Sequence, residues 1–466
     1  MKNKIDIESI YLKLPIFLQN ILVSIEGKRI QRRRYSRHFY NIFNEVIDRF
    51  CDLDMAFQGD YQKKRLRDFL QKARLSPFWY KRFLDYEVDP DAEDVFQELR
   101  KLPVLSKDEV KDHAHDIDIS AQLDVDFFSC HTSGTTGSGL VFPVSKEAER
   151  EQWATWWRYR LWHGIKFDTL CGYFGGRSLV SLSQQKPPYW RVNRPGRQIM
   201  FSAYHLSDKT APDYIAALNR YRVPWIHGYP STIALLAGLK RDLGLPDIPS
   251  LQVATIGAES LLSQQRELIE NVLKVPVREH YGLAEGVANI SECPNGRLHV
   301  DEDFAYVEFL PVNRDGTLFK IVGTNWSNPV FPLFRYDTGD IATIEDNECS
   351  CEKEGRVVKC IDGRKEDYVS LPSGAKVGRL DHIFKDMINI NAAQIYQPNV
   401  EDIVIRVVPG KNFNRKRDEK DILSETRKRL GNEISISFEY VSELPKTKSG
   451  KLRFVVSDVQ ENKIAV

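Results

Sequence analysis

The sequence predicts an α/β protein in two parts, a large layered domain over residues 1–362 and a smaller α/β domain over residues 363–466. Three observations predict it. A chain of 466 residues exceeds what one hydrophobic core organises. From Phe127 onward, short apolar runs alternate with Gly-containing turns and helical patterns, the rhythm of a layered sheet-and-helix domain. After Asp362-Gly363-Arg364 a shorter pattern of the same kind begins again.

The opening, from Met1 to about Ala121, is rich in aromatic and charged residues at helical spacing, as in Tyr61 to Leu70, and predicts a mostly helical segment. The layered region follows. Its readings are helix over Ile215 to Tyr221, strand at Trp225-Ile226, helix over Ser231 to Leu243, strand over Val253 to Ile256 and helix over Leu262 to Leu273. Between Phe304 and Ile344 the character changes. Ala305 to Pro311, Leu318 to Val322 and Asp340 to Ile344 read as successive strands, a β-rich subdomain that closes the large unit. In the small domain, Ile403 to Val408 and Ile434 to Val441 read as strands around a helix from Lys420 to Leu430.

Lys+Arg 66 against Asp+Glu 65, with 42% hydrophobic residues, describe a soluble globular protein without the global field that nucleic-acid binding needs. Seven cysteines, unevenly placed, suit a reducing compartment better than a disulfide framework. The stretch from Met1 to Glu26 carries early acidic residues and an apolar run broken by Lys13, Pro15, Gln19 and Asn20, unlike a signal peptide or a membrane span, so a cytoplasmic location is expected. Tyr11 to Val23 followed by the basic run Lys28 to Arg34 is also how a membrane-surface helix looks, which makes peripheral membrane contact the minor reading. The preferred one is a helix packed on its own domain with a solvated charged end.

The sharpest motif is Thr132-Ser133-Gly134-Thr135-Thr136-Gly137-Ser138-Gly139. Glycines let the backbone turn tightly and aim N–H groups at phosphate oxygens, and the hydroxyls add donors. It is not a P-loop, because Leu140 and Val141 stand where Lys and Ser or Thr belong. Taken alone it reads equally well as a polar surface loop. It is followed by Gly257-Ala258-Glu259, His280-Tyr281-Gly282-Leu283-Ala284-Glu285, Tyr336-Asp337-Thr338-Gly339-Asp340, Gly363-Arg364 and Pro445-Lys446-Thr447-Lys448-Ser449-Gly450-Lys451.

In this order and spacing the set resembles the adenylate-forming (AMP-binding) superfamily, and within it the phenylacetate-coenzyme A ligase branch with its capsular polysaccharide relatives. The resemblance spans roughly Phe127 to Phe454. It implies a large adenylation domain with layered α/β and β-rich subdomains and a small mobile C-terminal domain. The loop Thr132, Ser133, Gly134, Thr135, Thr136, Gly137 would hold the ATP phosphates, Tyr281 and Gly282 with Gly257, Ala258 and Glu259 the adenine, Asp340 the ribose and Arg364 further nucleotide charge. Glu285 would ligate magnesium, a hard cation suited to carboxylate oxygen. Lys451 would be the catalytic lysine, a point charge on a long stem that meets charge developing on phosphate and carboxylate. The sequence departs from the pattern at Ala284, where a hydroxyl residue is usual, in lacking a Lys after the phosphate loop, and at Glu366 near the family's hinge.

A second set is Cys293, His299, Cys349 and Cys351, three thiols and an imidazole among polar turn residues on either side of the β-rich subdomain. Four such ligands suit structural zinc, with Cys360 a substitute ligand; singly, C-x-C and C-x5-H are weak, and four unrelated residues is the alternative. Relatives in the branch carry a similar set. The stripe Trp153, Trp156, Trp157, Tyr159, Trp162 has helical spacing and reads as core before it reads as an acid pocket.

The implied activity has two half-reactions. A carboxylic acid and ATP give an acyl adenylate and pyrophosphate, and a thiol or amine acceptor, coenzyme A among them, then displaces AMP. The branch points to surface polysaccharide biosynthesis. Two other readings stand beside it, an aryl-coenzyme A ligase of aromatic acid metabolism and a non-catalytic nucleotide-binding scaffold, the latter disfavoured because Glu285 and Lys451 are both retained.

Overall fold

The computed structural model describes residues 7–51, 55–131, 140–175, 179–181, 183–312, 317–344, 349–351, 353, 355–362, 369–370, 372, 376–377, 380–384, 389–430, 433–445 and 453–459. The chain forms two compact units. One comprises Met1–Gly27, Thr169–Val277 and Gly363–Val466, the other Lys28–Asp168 and Arg278–Asp362.

The first unit holds an open sheet in the order Trp190–Asn193, Gln198–Phe201, Cys171–Phe174, Trp225–Gly228, Val253–Ile256. All neighbours run parallel except the Trp190–Asn193 edge strand. Short runs buried on both faces, such as Val253–Ile256 with all four residues inside, are what a parallel sheet covered by helices requires. The helices Ala211–Arg220, Pro230–Asp242 and Ser263–Leu273 supply the cover, packing Tyr214, Leu218, Ile233, Leu236 and Ile269 on the sheet. Pro sits in the first turn of the first two, where its missing N–H costs nothing. The C-terminal part of this unit is a four-stranded sheet, ordered Ser435–Tyr440, Asp402–Pro409, Ile390–Gln397, Val455–Ser457, with the helix Arg415–Leu430 burying Ile422 and Leu430 in its core.

The second unit is built on an antiparallel sheet ordered Tyr306–Pro311, Phe319–Thr324, Tyr336–Ile344, Val357–Asp362, Leu298–Val300, Asn289–Glu292, Val277–Gly282. The predicted β-rich region is therefore larger than the sequence suggested. The helix Lys146–Trp162 is started by Ser145, whose Oγ accepts from Ala148 N at 3.0 Å, with Glu147 and Glu149 favourably placed at the positive end of the helix dipole. Of the aromatic stripe, Trp157 and Tyr159 are core while Trp153, Trp156 and Trp162 are half-buried: Trp157 lies 4.3 Å from Phe167 between ring centroids, and its Nε1 donates to Tyr35 Oη at 3.0 Å.

Lys28, Arg29 and Arg32 are exposed, as a solvated end requires, but the last two arginines of the basic run are not. Arg33 Nη2 and Arg34 Nε both donate to Glu149 Oε1, at 2.6 and 2.8 Å, and Arg34 stacks over Trp153 at 4.1 Å. Helical spacing alone does not reveal such a partner more than a hundred residues away. No described helix is long and apolar enough to cross a membrane.

Candidate nucleotide and metal sites

In the second unit, the strand Val277–Gly282 pairs antiparallel with Asn289–Glu292, placing Tyr281 opposite Ile290. Tyr281 Oη donates to Asp340 Oδ2 at 2.7 Å. Burial, reinforced by the adjacent Asp340 carboxylate, raises the phenol well above its usual range, so Tyr281 stays a donor at any physiological pH. The Asp340 motif shapes its own strand. Gly339 takes φ +78°, Gly339 N donates to Asp337 Oδ1 at 2.9 Å, and Thr338 Oγ1 donates to Ile321 O at 2.8 Å. Asp337 is tied to Lys320 at 3.0 Å, which leaves Asp340 as the motif's carboxylate beside Tyr281.

Glu285 lies four residues past Tyr281 and is buried. Tyr336 Oη donates to its Oε1 at 3.3 Å, and Asn325 Nδ2 donates to its main-chain oxygen at 3.1 Å. The turn is held from the helix side as well, Gln152 Nε2 donating to Leu283 O at 3.0 Å, while Gly286 takes φ +67° to complete it. A carboxylate fixed this way is ready for a hard cation. The structure therefore brings Tyr281, Gly282, Glu285 and Asp340 together within one unit.

Gly257, Ala258 and Glu259 belong to the other unit, directly after the parallel strand Val253–Ile256. Ala258 adopts φ +68°, and Glu259 Oε2 accepts from Ser231 N at 3.3 Å at the start of the helix Pro230–Asp242. The neighbouring strand ends in His227 and Gly228, and a Cβ at Gly228 would lie 2.3 Å from Phe174 O. These are the carboxyl ends of parallel strands, where open α/β sheets bind ligands. The phosphate-loop residues Thr132, Ser133, Gly134, Thr135, Thr136 and Gly137, with Arg364 and Lys451, lie outside the described residues.

The four sulfur and imidazole ligands converge. Cys293 closes a tight turn, its N donating to Arg297 O at 2.8 Å, with Gly296 at φ +78°. His299 follows on the strand Leu298–Val300, which pairs with Val357–Asp362 just after Cys349 and Cys351. Cys293 Sγ stands 3.8 Å from Cys349 Sγ, Cys351 Sγ stands 3.4 Å from His299 Nε2, and all four donor atoms lie within 4.8 Å of one another. Two thiolates at about 2.3 Å from a tetrahedral zinc are ~3.8 Å apart, so the spacing fits that ion. Burial and the adjacent Cys349 push the Cys351 thiol up to about 12. Cys360 is not in the cluster; it sits opposite Thr343 on the strand Val357–Asp362.

One group the sequence reading missed supports this unit from within. Arg158, on the Lys146–Trp162 helix, donates to Asp301 Oδ1 at 2.7 Å and to both carboxylate oxygens of Asp303 at 2.8 and 2.9 Å, all three residues fully buried. Asp301 Oδ2 accepts from Asn289 Nδ2 at 2.5 Å and Ser291 Oγ at 2.7 Å, and Asn289 Oδ1 accepts from Trp156 Nε1 and His280 Nε2, both at 2.9 Å. Burial lowers His280 to about 3, so the ring is neutral with its proton on Nε2. The chain Arg158–Asp301–Asn289–His280 thus ends beside Tyr281 and fixes its strand.

Tyr281 bonded to the Asp340 carboxylate, with the buried Glu285 four residues on, forms the core of the candidate site in this α/β fold. Comparison places it further. A family model described as the CapK C-terminal domain matches residues 370–458. The chain is similar to protein CapK of Staphylococcus aureus, 25% identical over 97% of this chain and 99% of that one. It is also similar to phenylacetate-coenzyme A ligase of Thermus thermophilus, 24% identical over 74% of this chain and 75% of that one. Its fold matches that of 2-hydroxyisobutyryl-CoA ligase in the postadenylation state, with TM-score 0.66, 17% identity and coverage of 85% and 89% of the two chains. The chain is thus CapK-related along nearly its whole length and carries the fold of the adenylate-forming ligases, an adenylating ligase by class.

Proposed function

We propose that the protein uses ATP to convert a carboxylic acid into an acyl adenylate and passes the acyl group to a thiol or amine acceptor in surface polysaccharide biosynthesis. The observation that carries this reading is the Tyr281–Asp340 bond with Glu285 on the same unit. Tyr281 offers its face to adenine with Gly257, Ala258 and Glu259, Asp340 accepts from the ribose hydroxyls, and Arg364 adds charge. The loop Thr132 to Gly137 cradles the phosphates, and Lys451 stabilises charge at the α-phosphate while the carboxylate attacks. Glu285 would hold magnesium, which would supply charge that screens the phosphates. Division into an adenylation domain, 1–362, and a small domain carrying Lys451, 363–466, belongs to the same proposal. The test is carboxylate-dependent pyrophosphate exchange across a panel of acids; exchange with none of them would leave a nucleotide-binding scaffold.

The likeness to phenylacetate-coenzyme A ligase favours a second reading, in which coenzyme A is the acceptor for an aromatic acid. Acceleration of AMP release by coenzyme A, together with a preference for aromatic acids in the exchange panel, would favour it over the first. The near-isosteric Glu285→Gln should weaken magnesium-dependent turnover tenfold or more while leaving the thermal midpoint within a few degrees, because it removes only the charge that draws the cation. Unchanged turnover and magnesium dependence would assign the metal to another carboxylate.

The convergence of Cys293, His299, Cys349 and Cys351 supports a structural zinc. Protein purified without chelators should carry about one zinc per chain by elemental analysis, and Cys293→Ser should lose the metal and lower the thermal midpoint. Metal-free protein with an unchanged midpoint would dismiss this site.

A further inference from the structure

The helix Ile16–Arg34 has two faces with different fates. Its inner face covers the Trp190–Asn193 edge strand. Asn20 Oδ1 accepts from Val192 N at 2.9 Å, Ser24 Oγ donates to Val192 O at 3.1 Å, and Gln19 Oε1 accepts from Arg191 Nε at 2.5 Å. An edge strand needs such cover for its outer backbone groups. Gly27 sits so close that a Cβ there would lie 2.0 Å from Asn193 Oδ1.

The outer face carries large apolar side chains in solvent. Phe17 is 63% exposed, Ile25 60%, Ile21 50% and Leu22 42%, with Ile10 of the preceding helix Ile7–Lys13 at 51%. Phe17, Ile21 and Ile25 recur every four residues and form one stripe, which Lys28 and Arg32, both exposed, continue toward the C-terminal end. A large apolar stripe on a helix is ordinarily covered. Here one side lies on the sheet and the other is open.

We propose that this outer face docks on an anionic lipid bilayer, with the helix lying in the plane of the interface, the stripe Phe17–Ile21–Ile25 in the headgroup–acyl boundary and Lys28 and Arg32 on lipid phosphates. Charge and size favour lipid over protein. Arg33 and Arg34 are held by Glu149, but Lys28 and Arg32 stand exposed in line with the stripe and Glu26 is the one acidic residue of the helix, so the face complements a negative surface. The five exposed side chains offer roughly 500 Å² of apolar surface, short of the ~800 Å² per partner that a stable dimer buries. The apolar and cationic stretches follow one another over roughly 22 Å of helix, the layout of an interfacial helix.

The test is co-sedimentation of the full chain with vesicles of phosphatidylcholine alone or with about one third phosphatidylglycerol, at low and moderate salt. The expected result is binding at least tenfold stronger to the anionic vesicles, weakened by salt. Lys28→Glu/Arg32→Glu should remove that preference by tenfold or more, and Phe17→Ser/Ile25→Ser should abolish binding. The charge pair alters only exposed residues, so it keeps the test decisive if the apolar pair fails to fold; circular dichroism and pyrophosphate exchange report on folding of both. Wild-type protein that ignores anionic vesicles, or binding that neither variant alters, would overturn the proposal. So would a wild-type dimer in light scattering that Phe17→Ser/Ile25→Ser makes monomeric without any vesicle binding, which would make a second copy of the chain the occupant.

Discussion

Lys451→Ala is expected to slow adenylate formation by about a hundredfold or more, the size of losing one strong electrostatic donor from a charged transition state. Transfer of the acyl group should largely survive, because the second step requires only an acceptor and a departing AMP. Supplying the variant with preformed acyl adenylate bypasses the damaged step. Two rates check this, pyrophosphate release from ATP and AMP release from synthetic adenylate plus acceptor. Equal losses in both would mean that Lys451 acts in each step or holds the small domain in place.

Arg158→Leu should be among the most destabilising single changes in the second unit, by about 3–5 kcal/mol, since it strands two buried carboxylates without a counter-charge. The expected readout is a large fall in thermal midpoint or loss of soluble protein. Arg158→Lys should recover little, because one ammonium cannot reach Asp301 Oδ1, both oxygens of Asp303 and the main-chain oxygen of Val46, all of which the guanidinium fork serves at 2.7–3.2 Å. Adding Asp301→Asn and Asp303→Asn to Arg158→Leu should restore part of the loss. A midpoint unchanged in Arg158→Leu would show that the network is solvated and structurally idle.

These two residues mark how far the sequence could be read. Lys451 stands in a contiguous motif, and motifs survive as text because the chemistry needs neighbouring residues. The strand Val253–Ile256 was equally legible, since four apolar residues between polar turns have few other fates. The Cys and His set was legible as types and spacing, although 293 and 351 meet only because the strands beside them pair. Arg158 was not legible. On a helix with charges at many positions it reads as solvated, and Asp301-Glu302-Asp303 reads as a surface turn; their pairing depends on tertiary contacts 143 and 145 residues apart. The strand Ile390–Gln397 was missed for a related reason. Gln394 and Gln397 are buried within it, satisfied by the main-chain oxygens of Arg453 and Ser370, so polar residues stand at inward-facing positions where a strand pattern would show apolar ones.

The bond from Tyr281 to Asp340 has a thermodynamic meaning for nucleotide choice. The side chain proposed to meet the base and the one proposed to meet the sugar are a single hydrogen-bonded pair of the folded chain. Part of the rotamer entropy that binding usually costs is therefore lost during folding, which favours affinity. It also makes the two recognitions interdependent. A ligand with an altered purine shifts the ring, the ring carries the carboxylate with it, and the penalty for changing the base and the penalty for deleting a ribose hydroxyl cease to add. Discrimination among nucleotides then rests on the pair acting as one unit.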